Sequence, residues 1–190
     1  MAPVLLVGGW TVATRMQPPS FDPVADTVSA LAAVGAADRW VMTLTFLVVG
    51  ICDIVTAAAL RPAGACGRLM LAAASAAGMA VALSPQHLGG SVSHAIWASI
   101  GFGGLAVWPA GAWRRGPSVP WGVRPAVCAV AVAVLVTLTG WFGAELITGA
   151  GQAGLAERIA GAAQALWPLT VVLSCRFPSH AVSGSTAYAS

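Results

Sequence analysis

Residues 40–60 read WVMTLTFLVVGICDIVTAAAL, with one charged side chain, Asp53, in an otherwise apolar run. About 20 such residues, wound as a helix, cross the roughly 30 Å of bilayer hydrocarbon. Inside lipid only a helix or a closed barrel satisfies its own backbone. The same pattern recurs at 68–84, 94–113, 124–143 and 155–175, between short breaks that hold arginine, proline and glycine. The chain is 58% hydrophobic and 8% charged, far from the roughly 25% charged residues of a soluble domain. The fold class that follows is all-α, a polytopic transmembrane helix bundle. Residues 4–14 are apolar too and are expected to be a short first span, about 21 Å long if counted to the first arginine. That segment lacks a charged start and a cleavage site, so a signal peptide is not expected. Six spans then make a single transmembrane domain over residues 1–176. A small, polar tail at 177–190 is expected to be disordered in the cytoplasm.

All nine basic residues are arginines. With the N-terminus inside, Arg61, Arg68, Arg114, Arg115, Arg124 and Arg176 face the cytoplasm and Arg15, Arg39 and Arg158 face out. Six against three places both termini in the cytoplasm of a bacterial plasma membrane. The net charge of +3 is thus a matter of membrane orientation, and nucleic acid is excluded as a partner; the bilayer is the expected one. Cys52, Cys66, Cys128 and Cys175 have no zinc or disulfide spacing and read as small apolar packing groups. No metal site and no cofactor is expected.

The polar break before residue 40 is unusual. In SFDPVADTVSAL, residues 20–31, Asp22 precedes Pro23, which suits an N-cap followed by proline in the first turn. Asp26 and Ser29 follow at i+4 and i+7 on one helical face, and Val24, Val28 and Leu31 take another. The spacing predicts a short amphipathic helix over 22–35, lying along the outer boundary of the membrane. Asp22 would cap that helix and Asp26 would complement its dipole.

In this orientation Asp22, Asp26, Ser29, His94, Glu157 and Arg158 share the outer ends of the spans. They form a candidate polar layer, binding or structural. Arg158, at the start of the last span, is expected to hold Asp22 or Asp26 as an ion pair. A set of Asp22, Asp26 and His94 has the groups for acid–base chemistry, although no His spacing supports a metal. Asp53 differs, because an ionised acid deep in a span is costly. It is expected to face the bundle interior, protonated or hydrogen-bonded, with Gln164, Ser75 and Thr56 as candidate partners.

Several of these stretches together resemble a known family. FDPVADTVSAL, Gly50, the basic loop RPAGACGR, His94 and GLAERIAGAAQALW follow the order seen in the bacterial membrane proteins called domain of unknown function 998. The resemblance runs over about residues 5–176. It implies a six-helix bundle without an established biochemical role, and its pattern falls on Asp22, Pro23, Ser29, His94, Glu157 and Arg158. Phe21 replaces the usual tyrosine. A distant likeness to Frag1-type membrane proteins is one of fold only.

Three functions compete at this level. The first is a non-catalytic protein that binds a lipid or a membrane-protein partner through its outer layer. The second is a small membrane enzyme acting on a lipid or envelope precursor through Asp22, Asp26 and His94. The third is a proton-coupled carrier using Asp53; without visible inverted repeats it has the least support.

Overall fold

The computed structural model describes residues 1–87 and 90–177; most of the expected tail, from residue 178, lies outside them. The described residues form six α-helices and no strand: α1 (Ala2–Arg15), α2 (Trp40–Ala59), α3 (Gly64–Leu83), α4 (Val92–Ala112), α5 (Pro125–Thr148) and α6 (Ala153–Arg176). The last five are long and apolar enough to cross a membrane. At 14 residues, α1 reaches only about 21 Å.

Local chemistry sets the helix ends. Pro3 and Pro125 occupy first-turn positions in α1 and α5, where a missing N–H costs nothing. Ser91 caps α4 by accepting the His94 amide at 3.3 Å. Gly149 closes α5 in the left-handed conformation, φ +64°, where glycine has no Cβ penalty. The third helix begins four residues before the expected start at Arg68. Arg68 lies within it and donates from Nε and Nη2 to the carbonyls of Ala57 and Ala58, both at 2.8 Å. It thereby caps the C-terminal end of α2, where carbonyls lack helical partners.

Each helix packs on its neighbours in sequence, and α1 also packs on α6, which closes a ring. The most extensive seam is α3 on α4, where Gly67 and Gly104 lie close to Ala112 and Ala74, as small residues permit in membrane bundles. The ring has two chemically distinct ends. Arg61, Arg68, Arg114, Arg115, Arg124 and Arg176 mark one, the arginine end; five of the six acids, Asp53 being the exception, mark the other, the acidic end. One apolar core, with Trp108, Leu71, Val123 and Val171 fully buried, fills the arginine end. A second, with Leu31 and Met42, joins α1, α2 and α6 to the connection between α1 and α2.

That connection corrects one expectation. Residues 22–35 do not form an amphipathic helix. Residues 22–26 make a turn, and only Ser29–Ala32 wind into a single 3-10 turn. The physical reason is that α6 takes the backbone groups a helix would have used.

Candidate functional site

The turn at residues 22–26 is closed by its own acids. Asp22 Oδ1 accepts the Val24 amide at 2.9 Å, and Asp26 Oδ2 accepts the Asp22 amide at 2.8 Å. This is the local bonding that makes aspartate a turn former. Closed in this way, the turn presents four consecutive carbonyls to the first turns of α6. Those of Val24 and Ala25 accept the amides of Leu155 and Gly154 at 2.9 and 3.2 Å, which satisfies N–H groups that every helix start leaves free. Those of Pro23 and Asp26 accept Nη1 of Arg158 at 2.7 and 2.9 Å.

One turn further on, the polarity reverses. Buried Glu157 accepts the Val28 amide at 2.6 Å and the Ser29 amide at 3.4 Å through Oε2, and the Ser29 hydroxyl at 2.9 Å through Oε1. Adjacent residues of α6 thus serve opposite needs of one loop: Arg158 binds its carbonyls and Glu157 its amides. Gly154 makes the approach feasible, because a Cβ there would run into the carbonyl oxygens of Asp26 and Pro23. Arg158 therefore joins the turn through backbone oxygens. Among the described residues it makes no hydrogen bond to the carboxylates of Asp22 or Asp26.

The six members of the expected polar layer divide into three groups. Asp22 and Asp26 bond within their own turn, and Ser29, Glu157 and Arg158 form the clamp. His94 is buried elsewhere on the acidic end, with Nδ1 2.9 Å from the Ser84 carbonyl, and so pins the α3–α4 connection. Among the described residues no group of three His, Cys, Asp or Glu side chains is placed to hold a metal.

Beneath the clamp lies a central cavity of about 110 Å³, walled by α1, α2, α3, α4 and α6 and bordered by Val28 and Ser29. Its lining is mostly apolar, with Trp10, Phe46 and Phe102 among the walls, yet Asp53, Ser75, Glu157 and Gln164 also border it. The sequence offered Gln164, Ser75 and Thr56 as partners for Asp53. Each is engaged elsewhere. Gln164 Nε2 donates to the Phe102 carbonyl and to Thr139 Oγ1, both at 2.9 Å. Ser75 and Thr56 donate to the carbonyls of Leu71 and Cys52 at 2.8 and 2.7 Å. Asp53 is 5% exposed and makes no hydrogen bond to any described residue. A second cavity of about 330 Å³, between α1, α2 and α6 toward the arginine end, has Asp53 on its wall as well.

Sequence reading missed Gly154 and did not assemble the cavity. A signal was present on α6, where Glu157, Gly161 and Gln164 recur at helical spacing on one face. All three border the cavity.

A family model described as "Protein of unknown function (DUF998)" matches residues 1–174. No curated protein and no solved structure matches the chain.

Proposed function

The chain belongs to the DUF998 family, and from that premise we propose that it is a non-catalytic, ligand-binding protein of the bacterial plasma membrane. In this reading α1 is a sixth, short span, and both termini lie in the cytoplasm. Six arginines at one end of the bundle against three at the other support that orientation. The acidic end then faces outward. Its polar layer is structural: Glu157, Arg158 and Ser29 hold the 22–32 segment over the central cavity.

The observation that carries the reading is the cavity itself, apolar in most of its lining but holding buried Asp53 and Gln164. Its volume is of the order of the roughly 150 Å³ engineered cavity that admits benzene. It suits the polar head or a short apolar segment of a membrane amphiphile, and its small volume among five helices favours such a ligand over a protein partner. The enzyme alternative has less support. Asp22 and Asp26 are bonded within one turn, His94 is held by Ser84, and none of the three borders the cavity.

Native mass spectrometry of the protein in mild detergent tests the proposal. A co-purifying small molecule is expected with the wild type and is expected to be lost in Gly161→Val. An added Cβ at Gly161 meets only Leu6 Cδ2, at 3.9 Å, so the backbone there accepts a side chain, and the two further methyl groups of valine take up cavity space. A reproducibly ligand-free wild type counts against the reading.

One observation favours a second reading, a proton-coupled carrier: Asp53 borders both cavities, one toward each end of the bundle. Asp53→Asn would then abolish proton-coupled uptake into vesicles, and unchanged flux removes this reading.

A further inference from the structure

We infer that the ligand of the central cavity carries a primary ammonium group, which Asp53 receives; the inference rests on the binding reading above and names its chemical class. Donors and acceptors on the cavity wall set the ligand class. The hydroxyls and the amide on the cavity wall have already spent their hydrogens, and of the side-chain donors there the Trp10 indole N–H makes no hydrogen bond to a described residue. Ser29 donates to Glu157, Ser75 to the Leu71 carbonyl, and Gln164 Nε2 to Phe102 and Thr139. Since the Phe102 carbonyl can only accept, it fixes the orientation of the Gln164 amide. Oε1 of Gln164 is left without a partner among the described residues, as are both oxygens of Asp53. With Asp53 ionised, all three oxygens are acceptors and are matched by a ligand that donates.

Charge points the same way. An ionised carboxylate 5% exposed and unpaired in an apolar surround is costly, and a cation of matching size offsets that cost. Two carboxyl groups in the lining, Asp53 of α2 and Glu157 of α6, disfavour an anion such as a phosphate or a fatty acid. The aromatic walls add to the preference, since Trp10, Phe46 and Phe102 border the same space and aromatic faces attract cations. At about 110 Å³ the site holds an ammonium with a short apolar body. A free alkylamine fits this description directly, and an aminolipid headgroup offers the same chemistry with a phosphate attached.

Three probes of nearly equal shape separate the possibilities: n-butylammonium, 1-butanol and butyrate. Each is titrated against the full chain in phosphatidylglycerol nanodiscs, with the shift in thermal unfolding midpoint as readout, because a ligand that binds only the folded state raises it. Butylammonium is expected to raise the midpoint at concentrations at least about tenfold below butanol, and butyrate is expected to have no effect. Asp53→Asn is expected to weaken butylammonium by roughly ten- to a hundredfold, the loss typical of a charge-assisted hydrogen bond. Should that variant fail to fold, Gly161→Val is expected to remove the butylammonium shift by filling the space. Replacing phosphatidylglycerol by phosphatidylethanolamine distinguishes the sources. A raised baseline that masks the butylammonium shift assigns the site to the lipid headgroup, and an undiminished shift assigns it to free amines. Equal potency of butanol and butylammonium, or an Asp53→Asn response equal to wild type, overturns the ammonium assignment and leaves the binding reading standing. No response to any probe, from a protein whose co-purifying ligand has a mass and fragmentation pattern without an amino group, also overturns this assignment alone. The same silence from a ligand-free protein overturns both.

Discussion

The Glu157 carboxylate accepts the backbone N–H of Val28 at 2.6 Å, although 129 residues separate the two in the chain. The neighbouring Arg158 bonds the carbonyls of Pro23 and Asp26. This reciprocal grip, and not a helix, gives the α1–α2 connection its shape.

Glu157→Ala leaves the amides of Val28 and Ser29 buried without an acceptor. A buried group stripped of its partner costs about 1–3 kcal/mol, so a loss of about 3 kcal/mol is expected for the pair. Thermal unfolding in detergent measures it, and hydrogen exchange should rise first in residues 20–31. Glu157→Gln keeps one acceptor oxygen and is expected to lose about half as much. A Glu157→Ala protein as stable as the wild type would show that the clamp holds nothing down.

Two glycine substitutions should behave oppositely. Gly154→Ala drives a methyl group into the carbonyls of Asp26 and Pro23 and is expected to cost about 1–3 kcal/mol by overpacking. At Gly140, in α5, an added Cβ meets nothing within 4 Å. Gly140→Ala is therefore expected to gain about 0.5–1 kcal/mol from helix propensity. Paired unfolding midpoints decide, and a neutral Gly154→Ala would refute the close approach.

Among the described residues, Asp22 and Asp26 use their side chains only as acceptors for the Val24 and Asp22 amides. Asparagine retains an accepting oxygen, so Asp22→Asn and Asp26→Asn are expected to change stability by less than about 0.5 kcal/mol. Ligand retention in native mass spectra should be unchanged. If either variant loses the ligand at normal stability, the carboxylates have a role in chemistry or binding that their hydrogen bonds do not explain.

The proposed orientation places the 113–124 connection in the cytoplasm and the 16–39 connection outside. In a background with Cys66, exposed at the arginine end, replaced by alanine, Ser20→Cys should react with an impermeant maleimide on intact cells. Ser118→Cys should react only after lysis. The reverse pattern overturns the orientation and, with it, the outward-facing polar layer.

Much of the site was visible as residues and invisible as an arrangement. Ser29, Glu157 and Arg158 stand out in sequence as polar groups beside apolar spans, but their pairing depends on which helix lies next to which. Asp53 was legible as an interior acid, since a charge in a span has few other places to go. That Gln164 and Ser75 border its cavity without bonding it required the ring to close, because each spends its donor on a local or neighbouring carbonyl.

Hydropathy alone determined the helices α2 to α6 and the membrane they suit, because a run of about 20 apolar residues has one stable form in lipid, whatever its neighbours. The same reasoning failed for SFDPVADTVSAL, whose period and capping residues predict a helix that does not form. A helix there would need its own carbonyls and amides. The start of α6 claims them first, through Gly154, Leu155 and Arg158 on one side and Glu157 on the other. Local pattern sees only local partners, and here the partners that won lie some 130 residues away along the chain, a distance only tertiary structure could close.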